Sequence, residues 1–217
     1  MKRKYFGFMV MFFLLSMFFW AVVAFFSNGL AKPVIYLYPT TNTEISVNVY
    51  PLHGISISDP IYKDGWKVIS DSDSNILNLD DNKTYPYLFW ESNNYSLFFD
   101  GLKIPKEGFV ISRDNLQTDL SDKLLELGLN KKEVKDFEDF WIPKMLQKNK
   151  PYYFVSFYSI DTINNIAPIK ISPMPDSVIR VLMVFKGMDN FKYVPELKIE
   201  TPSRKGFTVV EWGGILN

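Results

Sequence analysis

From Tyr5 to Phe26 the chain carries one polar side chain, Ser16, whereas from Pro33 onward its apolar positions come in short, alternating groups. A helix of 22 residues rises about 33 Å, slightly more than the hydrocarbon core of a bilayer. Because this run has no polar face, it reads as a transmembrane helix rather than a buried soluble one. Lys2, Arg3 and Lys4 precede it and only Lys32 lies close behind. The positive-inside rule then leaves residues 1–4 in the cytoplasm and places everything after Phe26 outside, in a single-pass protein whose first partner is the lipid bilayer. A cleaved signal peptide is the competing reading. Gly29 and Ala31, or Ala24, offer small residues for cleavage, and the chain would then be secreted. Signal h-regions span about 7–15 residues, so the longer run here favours an uncleaved anchor. Residues 27–32 read as a short link and 33–217 as one extracytoplasmic domain.

Within that domain the period changes to two. Pro33–Pro39 and Glu44–Pro51 are β-branched and aromatic runs ended by proline, and Ile45, Val47 and Val49 alternate with Ser46, Asn48 and Tyr50. Alternation of this kind marks a half-buried strand. The polar stretch at 40–43 between the two runs predicts a hairpin connection. Further strands are predicted at Trp66–Ser70, Asn75–Leu79, Tyr85–Glu91, Tyr95–Phe99, Gly108–Arg113, Tyr152–Ile160, Ile169–Pro173, Ser177–Lys186, Glu196–Ile199 and Gly206–Ile215. Turn residues separate the earlier ones, without helices between them, which favours antiparallel pairing.

Helical spacing appears only in the middle. Leu120, Leu124 and Leu127 recur at i, i+4 and i+7, with Gly128 placed to end a helix in the left-handed conformation and Leu129 to fold back on Leu124. Asn130 and Glu133 have capping-box spacing ahead of Val134, Phe137, Trp141 and Met145, and Pro143 predicts a kink or an end. Helices are therefore expected near 117–128 and 131–146. The predicted class is α+β, mostly antiparallel β in a sandwich or mixed sheet, with an inserted helical pair and one N-terminal transmembrane helix.

Composition narrows the function classes. The whole chain has 24 basic and 24 acidic residues, leaving 21 basic against 24 acidic beyond Lys4. No basic stripe suited to phosphate neutralisation stands out, so nucleic acid is not an expected partner. With no cysteine a thiol nucleophile is excluded, and with a single histidine, His53 in a turn, a typical zinc site is not expected. No phosphate-cradling glycine loop or nucleophile elbow is present, so neither metal nor cofactor is expected.

Three charges on apolar strands carry the remaining chemistry. Glu91 follows Leu88, Phe89 and Trp90; Glu211 lies between Val210 and Trp212; Arg180 sits among Ile179, Val181 and Leu182. A buried charge must be paired, so Arg180–Glu211 or Arg180–Glu91 is expected as a structural ion pair. The catalytic alternative takes Glu91 and Glu211 as the two carboxylates of an envelope glycan hydrolase, with neighbouring tryptophans as sugar platforms. Asn82 and Asn94 match the glycosylation acceptor pattern, which matters only in a host that glycosylates exported proteins.

As an ordered set, "KPVIYLYP", "YPYLFWE", "FWIPKM", "PDSVIRV" and "VVEWGG" resemble an uncharacterised, mainly bacterial protein family over Lys32 to Gly214. The resemblance implies one structural unit and brings no activity, cofactor or catalytic residue. The expected function is a membrane-anchored, extracytoplasmic binding or structural role at the cell envelope, with a glycan or a protein as its ligand.

Overall fold

A computed structural model describes residues 30–92 and 101–215 of the 217-residue chain. The apolar run at 5–26 and the strand expected at 95–99 lie outside these residues. Among the described residues no helix is long and apolar enough to cross a membrane.

Among the described residues twelve strands form two sheets. The larger contains β1 (Leu30–Tyr38), β3 (Ile55–Asp59), β7 (Leu88–Ser92), β8 (Phe109–Ser112), β9 (Tyr152–Phe157), β11 (Ser177–Met188) and β12 (Thr208–Ile215), in the order β3-β7-β1-β12-β11-β9-β8. The smaller contains β2 (Thr43–Val49), β4 (Trp66–Ser70), β5 (Ile76–Asn78), β6 (Lys83–Tyr85) and β10 (Ile169–Ser172), in the order β10-β2-β4-β5-β6. Pairing is antiparallel throughout except between β11 and β12, which run parallel. The helices among the described residues are α1 (Leu116–Glu126), α2 (Lys131–Gln147) and the short α3 (Ile160–Ile166).

Strand periodicity divides the core in two. Along β1, Ile35 and Leu37 join Ile45, Val47, Trp66 and Val68 between the sheets. The intervening Val34 and Tyr36 join Leu120, Phe137, Trp141 and Trp212 beneath α1 and α2. The seven-stranded sheet is thus a middle layer, covered on one face by helices and on the other by the second sheet. Its inner strand β12 is buried at all eight positions, which is why it reads as a continuous apolar run instead of an alternating one.

The helix ends follow their local chemistry. Gly128 adopts φ +92, and the amides of Gly128 and Leu129 donate to the Leu125 and Leu124 carbonyls at 3.0 and 3.1 Å. This is the paired end-bond of a Schellman turn. Asn130 and Glu133 form both bonds of a capping box, and Arg204 holds the buried Glu133 at 2.5 Å.

Several expectations are corrected. The segment 40–43 is not a hairpin: β1 and β2 belong to different sheets, and the chain there crosses from one layer to the next. An alternating strand can bury its apolar side against either sheet, so the pattern did not specify the partner. The run expected at Tyr85–Glu91 is two strands, β6 and β7, in different sheets. Helix α2 continues past Pro143 to Gln147. Residues 196–199 make only the isolated bridge of Glu196 to Gly108. The link expected at 27–32 ends sooner, because Leu30, Ala31 and Lys32 already belong to β1 and the first two are buried. Strand β3 and helix α3 were not anticipated.

Candidate functional site: a buried ion pair and a lysine among aromatic rings

Arg180 and Glu211 are register partners on the parallel strands β11 and β12, so their side chains leave the sheet on the same face. That face looks toward the second sheet, where the side chains are 1% and 6% exposed respectively. Arg180 Nε donates to Glu211 Oε2 at 2.7 Å, and Nη2 lies 2.5 Å from the same oxygen. The other guanidinium bonds reach α3 and its end: Nη1 donates to Asn164 Oδ1 and Nη2 to the Ala167 carbonyl, each at 2.7 Å. Trp90 Nε1–H donates to Glu211 Oε1 at 3.3 Å. Every heteroatom of both charged groups therefore has a partner, as burial of an ion pair requires. The network ties β7, β11, β12 and α3 together through one contact point.

Beside it lies a void of about 10 Å³ lined by Trp90, Arg180, Glu211 and Gly213 among others. That is room for one water at most, whereas small-molecule sites occupy about 300–1,000 Å³. Three larger surface depressions, of about 450, 510 and 760 Å³, include none of Glu91, Arg180 and Glu211 in their linings.

Glu91 stands elsewhere. On β7 it alternates with Trp90, and Trp90 points between the sheets toward Glu211. Glu91 shares the opposite, helix-side face with Phe89, which packs against the core beneath α2. Two carboxylates on opposite faces of one sheet cannot flank a single glycosidic bond, so the Glu91–Glu211 pair of the hydrolase alternative is not formed, and neither is an Arg180–Glu91 pair. Trp90 and Trp212 are 1% and 0% exposed and cannot serve as sugar platforms. His53 lies half-buried in the turn 51–54, where the Gly54 amide donates to the Pro51 carbonyl at 3.0 Å.

Around Glu91 is a second constellation, one that the sequence did not announce. β1 bulges between Ala31 and Val34, with Lys32 at φ +53. The Lys32 amide donates to Glu91 Oε1 at 3.2 Å. Its ammonium lies 4.4 Å from the Phe89 ring centroid, 5.1 Å from Tyr87 and 5.8 Å from Phe140, and donates to the Tyr87 hydroxyl at 3.3 Å. Lys144 also lies over Phe140, 4.5 Å from its ring centroid. Further along the same strip Lys132 lies over Tyr36 and Arg204 over Tyr38. Cation–aromatic contacts of this kind contribute about 0.5–2 kcal/mol each, most where water is excluded. Tyr87, Phe89 and Glu91 share a face by their period-two spacing, which the sequence shows. Only the β1–β7 register brings Lys32 to them.

Burial pushes the Glu91 carboxyl above its ordinary value of 4.5, and the Lys32 amide and the ammoniums of Lys32 and Lys144 offset this only in part. A raised carboxylate pKa in the folded state favours the protonated form. The contribution of Glu91 to stability is therefore greatest below 4.5 and declines as pH rises through the higher folded value. Glu91→Gln, which can still accept from the Lys32 amide, should consequently gain stability relative to wild type between about pH 4 and pH 7. Denaturant midpoints of both proteins across that range test this; a constant difference would refute it.

Comparison with protein-family models, curated proteins and solved structures finds no match to this chain. The functional reading accordingly rests on the chain's own residues.

Proposed function

We propose that this chain is a membrane-anchored, single-pass protein whose β-rich domain has a binding or structural role at the cell envelope, outside the cytoplasm. The observation that carries this reading is the short distance between the apolar run and the folded domain. Only Ser27, Asn28 and Gly29 separate Phe26 from Leu30, the first buried residue of β1. A 22-residue apolar segment preceded by Lys2, Arg3 and Lys4 is thus joined to an inner strand of the large sheet with almost no tether. A binding or structural role is supported by the engagement of Arg180 with Glu211, which leaves that pair no open face for a substrate.

Reporter enzymes fused after Asn217 test the topology. A reporter that requires export should be active and one that requires the cytoplasm inactive, with the full chain retained in alkali-washed membranes. Activity of the cytoplasmic reporter alone would sink the proposal.

A further inference from the structure

The registers of the seven-stranded sheet bring one end of it to the point where the chain enters the domain. β1 and β9 begin there, and β7, β8, β11 and β12 end there. β11 extends four residues beyond the level of Ile215, which pairs with Val184. The C-terminal turn of α2 lies at the same end, since Lys144 and Phe140 sit by Lys32 while Asn130 sits by Tyr38.

This end is basic in a chain that otherwise is not. Lys32, Arg113, Lys144, Lys148, Lys150 and Lys186 lie on its strand ends, its loops and the last turn of α2, against Glu91, Asp114, Asp189 and, in the first turn of α1, Asp119. Beyond Lys4 the whole chain has 21 basic and 24 acidic residues, so the end has the opposite sign of charge from the domain. Asp189 is taken up by Lys150 at 2.7 Å, and Glu91 is half-buried under Lys32. Arg113, Lys148 and Lys186 are exposed. An aromatic pair stands beside them: Tyr152 and Phe191 meet edge to face at 5.9 Å, and Phe191 is 60% exposed. Lysine and arginine next to exposed aromatic rings suit the boundary between water and lipid headgroups.

We propose that this end of the domain is a contact surface for anionic phospholipid headgroups. The inference rests on the membrane-anchored reading and adds the chemistry of the surface that faces the bilayer. The four Cα–Cα steps from Phe26 to Leu30 reach at most about 14 Å, so the start of β1 cannot stand further than that from the hydrocarbon edge. Headgroups fill roughly 5–8 Å of that gap, and the remainder is within a Debye length of about 8–10 Å. Lys32 and the neighbouring Lys144 therefore lie in the field of any anionic leaflet, and the other four cations join them when the sheet end faces the bilayer. The bulge and the aromatic rings hold Lys32, and with it the exit of the chain, in one orientation against β7 and α2.

The chain has no cysteine, so single cysteines can be placed cleanly for fluorescent labelling. Asn190→Cys reports on this end and Ser203→Cys, beyond the start of β12, on the other; both positions are exposed. Full-length protein is reconstituted into vesicles of phosphatidylcholine, with or without phosphatidylglycerol, containing a headgroup-located quencher. The label at 190 should be quenched more strongly than that at 203, and more in the anionic vesicles. Raising salt should weaken this difference, and Lys144→Gln and Lys186→Gln should each reduce the membrane-apposed population roughly fivefold. Circular dichroism of the variants shows whether they remain folded, and the salt series needs no variant. Equal quenching at 190 in both vesicle types, indifferent to salt, overturns the lipid assignment while the anchor stands. A label at 190 that stays unquenched in both leaves the surface to a protein partner and also overturns it. Loss of the protein from alkali-washed vesicles overturns the anchored reading itself.

Discussion

Arg180→Met is expected to destabilise the domain by about 3–5 kcal/mol, because it leaves the Glu211 carboxylate buried with only the Trp90 indole N–H for company. A loss of that size is a large part of the roughly 5–15 kcal/mol by which domains are ordinarily stable, so it should be visible as a marked fall in denaturant midpoint. Glu211→Leu alone should be comparably damaging, since it strands the guanidinium. The informative variant carries both changes. Removing the two charges together abolishes the desolvation cost along with the attraction, and apolar replacements of buried ion pairs are often neutral or better. Recovery should be incomplete here, because the Ala167 carbonyl also loses its donor and an unsatisfied buried carbonyl costs about 1–3 kcal/mol. The expected order is wild type above the double variant, and the double variant above either single one. If Arg180→Met lies within about 1 kcal/mol of wild type, the pair is not the buried connection described here.

The second large effect concerns Trp141 and Gly214. A methyl group at Gly214 would stand 2.5 Å from Trp141 Cζ2, so the glycine is what lets the indole lie against the last strand. Trp141 is fully buried, with Phe137, Phe140 and Phe185 ring centroids at 6.1, 5.1 and 6.2 Å. Truncation to alanine should cost about 3–5 kcal/mol, and Gly214→Ala about 1–3 kcal/mol through overpacking. The two changes should not add. Once the indole is gone, the new methyl enters space already vacated, and Gly214→Ala should cost little in that background. A double-mutant cycle reads this coupling directly. An equal cost of Gly214→Ala in both backgrounds would show that something other than Trp141 demands the glycine.

These two sites also show what could be read ahead of the structure. A charge on an apolar strand implies a partner whatever the fold, so Arg180 and Glu211 were both recognisable as members of a pair. The choice between Glu91 and Glu211 was not available from local sequence. It depends on strand register, and a one-residue difference in register exchanges the two faces of a sheet. Helix ends were legible for the opposite reason. The capping box of Asn130 and Glu133 and the left-handed Gly128 depend on neighbours within a few residues. The polar run at 40–43 misled because it has the composition of a hairpin turn, yet only the packing of two layers decides which sheet β2 enters. Helix α3 escaped notice because Tyr152–Ile160 is a continuous β-forming run in which Ser159, accepting from the Thr162 amide at 3.3 Å, starts a helix of only seven residues.

By itself, then, the sequence determined the β-rich class, the helical pair with its ends, the need to pair buried charges, and an apolar segment long enough for a bilayer. Each of these follows from periodicity, local hydrogen bonding or the cost of desolvation, all properties of short stretches of chain. Tertiary structure alone decided that Glu211 faces Arg180 while Glu91 faces Lys32, that β1 begins at Leu30, and that six basic residues from distant segments gather at one end of the sheet. Those outcomes depend on register and layer order, which are set by the simultaneous packing of both faces of the middle sheet.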